Sequence, residues 1–575
     1  MPPQKKTLKQ KKSKQAPPKS KVAQKSTKPT SKSKKVLVEI PKKGDEFIKF
    51  FDKLVNSGQF PEARAAVDAL KLKRWQRLNL LSVIEFKMGN LFKAEEMMKQ
   101  ALRESDVKEA VYVNLAALLV TQGRMAEGLT YAARGYKAQP TQVKAIHLYL
   151  NCLLDLGKSD LVLTICEDAL KHHPDDKTIL VSKASALRSE SKPDEALILL
   201  DELIEKFPEE PVIRRIKADL LGDTNSTEAL KFYDEAIKMS TTLRGTPDPA
   251  VQWNMSLHLL RNRDFVNGWE CWEQGFHPIV GTMGRNLPAR IKAMDRADAD
   301  GKEIDPDKWT IVCAEQGIGD QILFSHVMNE AIDEFKKILY ITEKRMYPII
   351  KRSFPKIEVG CSGLTYDWER TSLKKNGYIP LGSLPRRYRK KTEDYTSKKT
   401  PFLLANKPLY DKYKEYLTKL ANGRPIIGIS WKGGFWAIQR KTKELAIQNW
   451  EPIFKKDALF VNLQYGDIRN EAEYLKSNGY NMTIFNKLNY KEHLDDWLAI
   501  AGACHGIISV STALVHFAGA IGQKVAVVMP SHQGPWHLGM KDTESIAYKN
   551  VNIFRPDKNE STHDLITRVA NLIIT

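Results

Sequence analysis

The chain has 575 residues, 42% of them apolar and 9% aromatic, with a formal charge of +21. That length excludes a single hydrophobic core and predicts three or four domains, while the apolar content excludes a wholly disordered chain. The charge is local: thirteen lysines lie between Lys5 and Lys35 and no acid precedes Glu39, so only +8 of the 21 remains for the rest.

Residues 1–43 are Lys, Pro, Ser, Thr and Gln with few apolar side chains. Such a stretch cannot bury enough surface to offset its ordering entropy, and we expect a disordered tail. It is either a solubilising extension or a weak electrostatic arm for nucleic acid or an anionic surface. Its lack of arginine and of interleaved aromatics argues against sequence-specific readout. It also lacks the apolar core of a signal peptide. The six cysteines (Cys152, Cys166, Cys271, Cys313, Cys361, Cys504) form no CxxC pair, which predicts free thiols, no zinc site and a reducing, cytoplasmic setting.

The next block, 44–245, has a fixed period. Pro140, Pro174 and Pro208 are 34 residues apart, and Gly89, Gly123, Gly157 and Ser191 keep the same step. Ala94 and Ala196 follow their glycine position by five residues, with Gly128 and Val162 between them. Ala101 and Ala169 give the second helix its small residue, with Gly135 and Leu203 in the other units. Glycine ends one helix, small residues admit the other, and proline closes it. This register resembles the tetratricopeptide repeat, and implies an α-solenoid that binds a protein partner or serves as a spacer.

Residues 246–308 read as a Trp-rich helical bridge followed by a polar connection, with Trp253, Trp269 and Trp272 sealing the last repeat. Asp298-Ala-Asp300 has the DxD form of metal-dependent glycosyltransferases. Lying ahead of any strand, it reads as solvated charge, and we expect no metal. From 309 onward short apolar runs (WTIVCA, KKILYIT, PIIGISW, ALFVNLQ, HGIISVS, KVAVVMP) alternate with helices. That pattern implies parallel sheets with helices on both faces, in two doubly wound blocks at 309–420 and 421–575 with ligands at the carboxyl ends of the strands. The apolar window 506–530 contains His516, Gln523, Lys524 and three glycines, and breaks into strand, helix, strand. It is not a membrane span.

Gln316-Gly317-Ile318-Gly319-Asp320 lacks the third glycine of a dinucleotide loop, since 322 is Ile, and places a carboxylate where a phosphate would sit. The two glycines instead allow a tight turn at which Asp320 either caps the following helix or faces a cleft as a general base. In the second block, Lys432, Gly433, Arg440 and Lys441 are either a solvated basic loop or contacts for an anion. Ser511 or Thr512 could cap the helix after HGIISVS and leave N–H groups for a diphosphate. His516 shares the face of Thr512 and is either a half-buried structural histidine or a donor contact. Gln464, after NLQ, reads as a frame for the pocket.

The order NGWECWEQGF, WTIVCAEQGIGDQILF, YIPLGSLPRR, PIIGISWKGG, LFVNLQYGD and DWLAIAGACHGIISVSTALVHFAGAIGQKVAVVMP resembles proteins that join tetratricopeptide repeats to a heptosyltransferase-like glycosyltransferase domain of the family 9 kind. The resemblance covers about 251–575 and implies the GT-B architecture. It implies a nucleotide-sugar donor as co-substrate, no cofactor, and inversion, with Asp320 as base and Gln316, Gly317 and Gly319 shaping its turn on the acceptor side. Lys432, Gly433, Arg440, Gln464, Ser511, Thr512 and His516 would stand on the donor side. One departure counts against activity: Ser511 occupies the position where the family pattern has aspartate. The alternative is a non-catalytic interaction scaffold with a degenerate GT-B domain.

Overall fold

The computed structural model describes residues 44–574, apart from 106–108, 191, 225, 279, 281–283, 299–302, 362–373, 397–400, 434–444 and 530–533. The lysine-rich tail, Ser191, Asp300, Gly434, Arg440 and Lys441 lie outside the described residues.

The first part is a solenoid of helical hairpins. Its pairs are α1 (Gly44–Asn56) with α2 (Phe60–Asp68), α3 (Arg74–Lys87) with α4 (Leu91–Glu104), and α5 (Glu109–Thr121) with α6 (Met125–Ala138). There follow α7 (Val143–Asp155) with α8 (Ser159–Leu170), α9 (Lys177–Ser189) with α10 (Pro193–Lys206), and α11 (Pro211–Asp223) with α12 (Glu228–Arg244). The periodic residues act as their chemistry requires. Gly89, Gly123 and Gly157 have φ of 84, 74 and 61°, the left-handed conformation in which a Cβ is strained. A Cβ on Gly128 or Gly135 would approach a Val120 or Val113 methyl at 3.0 Å, so the small residues set how closely α6 packs on α5.

The bridge continues this architecture. Residues 249–272 form another hairpin, α13 (Pro249–Arg261) with α14 (Phe265–Trp272), and α13 packs on α11. The solenoid therefore runs on past 245. Trp253, Trp269 and Trp272 are buried and do more than close the repeat. Trp269 lies edge-on to Trp536 at 5.2 Å and to Phe324 at 6.3 Å, and its indole N–H donates to the Arg389 carbonyl at 2.9 Å. One side chain thus joins the solenoid to both α/β blocks. Arg263, a non-glycine at φ 69°, adds an ion pair to Asp542 at 2.6 Å.

Two parallel sheets follow. The first has the order β3 (Glu358–Cys361), β2 (Ile338–Thr342), β1 (Trp309–Cys313), β4 (Lys375–Pro380). The second has the order β10 (Val551–Phe554), β9 (Val525–Val528), β8 (Gly506–Val510), β5 (Ile426–Ser430), β6 (Leu459–Asn462), β7 (Met482–Thr483). Taken in chain order, the second sheet is 6-5-4-1-2-3, the doubly wound arrangement whose direction of winding reverses between β5 and β8. The first reverses between β1 and β4. Full burial on β2, β5, β8 and β9 explains why these strands read as unbroken apolar runs. The helix Lys407–Ala421 falls within the first block by sequence. In the structure it packs on Leu494–Ala503, and Phe402 and Leu403 donate their N–H groups to the Ala520 carbonyl. The second block therefore begins near 401, because an amphipathic helix goes with the face that buries its Tyr413, Leu417 and Ala421.

Candidate functional site

The two reversal points place the candidate residues. In the second sheet β5 pairs with β8, Ser430 opposite Ser509, so Trp431-Lys432-Gly433 leaves the sheet beside Val510-Ser511-Thr512. Gln464, leaving β6, spans this exit. Its buried Oε1 accepts hydrogen bonds from Ser430 Oγ (3.0 Å), Trp431 N (3.0 Å) and Lys432 N (2.9 Å), and its amide donates to the Tyr465 carbonyl. Three donors on one oxygen leave Gln464 no acceptor for a ligand, so it holds the loop in shape. Lys432 is half-buried. Its ammonium donates to the Asp467 carbonyl at 3.0 Å and pairs with Glu471, a partner that the sequence reading did not foresee. Gly433 closes the described part of this loop.

Thr512 caps the helix Ala513–Ala520, its hydroxyl accepting from Leu514 N at 3.2 Å. This pairing arises because β8 ends in small hydroxyl residues and the helix needs an acceptor at its first turn. Ser511, just before it, is half-buried, and His516 lies one turn on and is buried.

The first sheet brings its turn to the same helix. Gly317 is the N-cap of Ile318–Phe324 and makes no side-chain cap. Asp320 stands in the first turn, with its Oδ2 3.6 Å from where a Gly317 Cβ would be. The next face packs across the seam: a Cβ on Gly319 would lie 3.1 Å from His516 Cδ2 and 3.7 Å from the Ala513 Cα. Gly319 is small because a helix from the other block passes there. The GIGD turn and the STALVH helix, nearly two hundred residues apart, therefore meet directly.

Two residues at this seam were not singled out from sequence. Tyr548 lies flat against Gly519, and its hydroxyl shares a 2.9 Å hydrogen bond with His516 Nδ1. Burial, together with the negative charge of Asp320, holds the phenol neutral far above its ordinary range. The His537 ring lies tilted against the His516 ring, 4.7 Å between centroids. No local motif marks either residue; only the fold brings 516, 537 and 548 together.

At the reversal point of the first sheet, between β1 and β4, an ionic cluster fills the space. Arg285 is fully buried. It donates to Glu315 Oε1 (2.7 and 3.1 Å), Glu273 Oε1 (2.9 Å) and Ser383 Oγ (2.8 Å), and its guanidinium lies 4.1 Å from the Phe276 ring centroid. Gly382 lacks the Cβ that would strike Glu315, so its N–H can donate to Oε1 at 2.9 Å. This gives the LGSLP stretch a structural role. Despite the burial cost, Arg285 and Arg296 hold the Glu273 carboxyl at about 2, whereas burial, over the opposing pull of Arg285, pushes Glu315 upward. Asp298 corrects the sequence reading. It is paired with Arg296 at 2.6 Å and its side chain is only 12% exposed, so it is not solvated charge.

Among the described residues no three His, Cys, Asp or Glu side chains gather as a metal site, and no helix is long and apolar enough to cross a membrane. The six cysteines are free thiols.

No family model matches the chain. It is 24% identical over 405 residues to the protein FlbA of Caulobacter vibrioides, a match covering 68% of this chain and 66% of FlbA, just under two thirds. Solved tetratricopeptide-repeat structures are similar to part of the chain. One from Parabacteroides merdae is 15% identical over 41% of this chain and 94% of its own, with a TM-score of 0.33. A thermophilic one from Thermus thermophilus is 17% identical over 32% and 99%, with a TM-score of 0.28. The repeat architecture rests on the chain's own hairpins and 34-residue register. The chain is a tetratricopeptide-type α-solenoid followed by parallel-sheet α/β domains.

Proposed function

We propose that the α/β part is a metal-independent GT-B glycosyltransferase of the heptosyltransferase-like kind, working from a nucleotide-sugar in the cytoplasm. The observation that carries this reading is the seam. The GIGD turn of one block packs against the capped helix N-terminus of the other, beside the second sheet's reversal point. In this scheme an acceptor hydroxyl attacks the anomeric carbon and gives its proton to Asp320. The bond to the diphosphate breaks, with its electron pair leaving on the phosphate oxygen. The charge on that leaving group is met by N–H groups at 511–513, by Lys432 and by Arg440. A single base carboxylate on the acceptor side suits inversion. His516, oriented by Tyr548, would stand between the acceptor turn and the donor. The solenoid would recruit a protein that carries the acceptor hydroxyl, as concave repeat surfaces do for peptides.

A second reading has its own support. Lys432 is already paired with Glu471, Thr512 spends its hydroxyl on the cap, and Ser511 stands where the family pattern has aspartate. These favour a protein-binding scaffold whose GT-B domain has lost chemistry. Thermal-shift screening of nucleotide-sugars on the full chain, then donor hydrolysis and mass spectrometry of co-expressed acceptor proteins, separates the two. Absence of any donor binding would sink the transferase. Turnover unchanged in Asp320→Asn would remove Asp320 as base.

A further inference from the structure

A cavity of about 200 Å³ lies at the carboxyl ends of β1 and β2, against the GIGD turn. Residues on both sides of that turn, Gln316 and Gln321, line it, with Asn286, Glu315, Thr342 and Glu343 completing its polar wall. Its size suits one ring-sized group, below the roughly 300–1,000 Å³ of sites that engulf a whole ligand.

Two acceptors in the wall are unused. Gln316 Oε1 and Glu343 Oε1 are buried from solvent with no hydrogen-bond partner among the described residues. Buried oxygens left this way cost stability unless a donor reaches them. None of the described lining residues is Lys, Arg or His, and two are carboxylates, so an anion would find no cation in the wall. A second cation is not called for either. Each carboxylate already has an arginine: Arg285 on Glu315 Oε1, and Arg345 on Glu343 Oε2 at 2.7 Å.

We propose that this cavity is the acceptor subsite and that it takes a neutral polyhydroxyl ring, whose O–H groups donate to Gln316 and Glu343. The transferase reading supplies the word acceptor, and the subsite rests on it to that extent; the binding of a neutral polyol does not.

Saturation-transfer NMR on the full chain, with glucose, glucosamine and glucose 6-phosphate as probes, tests the charge selection on one ring. Glucose should bind with a Kd in the millimolar range, about what a lone ring achieves, and at least fivefold tighter than the phosphate or the amine. Gln316→Leu, which keeps volume and removes the acceptor, should weaken it at least fivefold, and Ile291→Phe, which fills the cavity, should abolish it. Stronger binding of the amine or the phosphate, no binding of glucose, or glucose binding indifferent to both variants would overturn the proposal. Nucleotide-sugar binding is read separately by thermal shift. Its loss with glucose binding retained would sink the transferase and leave the polyol site; the reverse would sink the site alone.

Discussion

Arg285→Met should be among the most damaging single changes in the α/β part. Methionine keeps the apolar stem against Phe276 and deletes the guanidinium. Glu315, whose side chain is 1% exposed, then loses the arginine paired with it, and Glu273, 13% exposed, keeps Arg296. Removing one partner of a buried pair costs roughly 3–5 kcal/mol, because the remaining charge stays buried without compensation. Glu315→Gln removes the carboxylate charge that Arg285 balances, so the double variant should recover about 1–3 kcal/mol relative to the sum of the single losses. Urea unfolding followed by tryptophan fluorescence is the assay, since Trp272 lies 5.5 Å from this guanidinium. The single variant should lower the midpoint by on the order of 1 M. A negligible shift, or a double variant showing strict additivity, would refute the claim that the cluster is a coupled ionic unit.

The same cluster sets an acid limit. With Glu273 held at about 2 against an ordinary 4.5, it contributes roughly 3 kcal/mol at neutral pH. A depressed carboxyl stabilises above its unfolded value and loses that contribution as pH falls from about 4.5 to 2, a window that Arg296→Met should move toward neutrality in a pH-resolved melt. Glu315, shifted the other way, relieves a cost as it protonates, so the loss should not begin above about pH 4.5. Gln464→Leu strands three donors and should cost about 2–4 kcal/mol by urea titration while deforming the Lys432 loop. Glu471→Gln releases Lys432 from a partly exposed pair and should tighten binding of a nucleoside diphosphate several-fold by calorimetry, an effect that fades with salt. Gly123→Ala, at φ 74°, should cost about 1–2 kcal/mol and raise hydrogen exchange in α5 and α6.

What the sequence discloses follows the range of the interaction. The 34-residue register and the strands of the sheet interior are local patterns, since a left-handed glycine or a fully buried parallel strand needs only its own neighbours to be recognised. β3, β4, β7 and β10 lie outside the six runs singled out as strands; β7 has two residues and β10 alternates buried and exposed. The candidate site shows the same division. Gly319 and Thr512 were visible as turn and cap residues, but the reason Gly319 is small is His516 on another domain. Tyr548 and His537 carry no spacing signal. Glu471 and Asp298 were misjudged or missed because ion pairing is decided by tertiary placement, on which the order of charges along the chain is silent.

The ionic cluster also bears on where the domains can be cut. Composition separates a solenoid at 44–245 from a bridge at 246–308, and invites expression of the α/β part from about 309. The contacts oppose that division. Glu273 and Arg285 precede 309, yet they supply charge to the buried reversal point of the first sheet. Trp269 lies against Phe324 and Trp536, and Arg263 reaches Asp542. A chain beginning at 309 would expose Glu315 without its arginine and remove the indole that touches both blocks. Tolerance of truncation depends on what the lost backbone and side chains bury. A fragment beginning before Pro249 should therefore melt cooperatively, and one beginning at Trp309 should not. If the shorter fragment proved equally stable, the last hairpin would be a mere neighbour of the α/β part, and any coupling between a partner on the solenoid and the seam at Gly319 and His516 would lose its structural path.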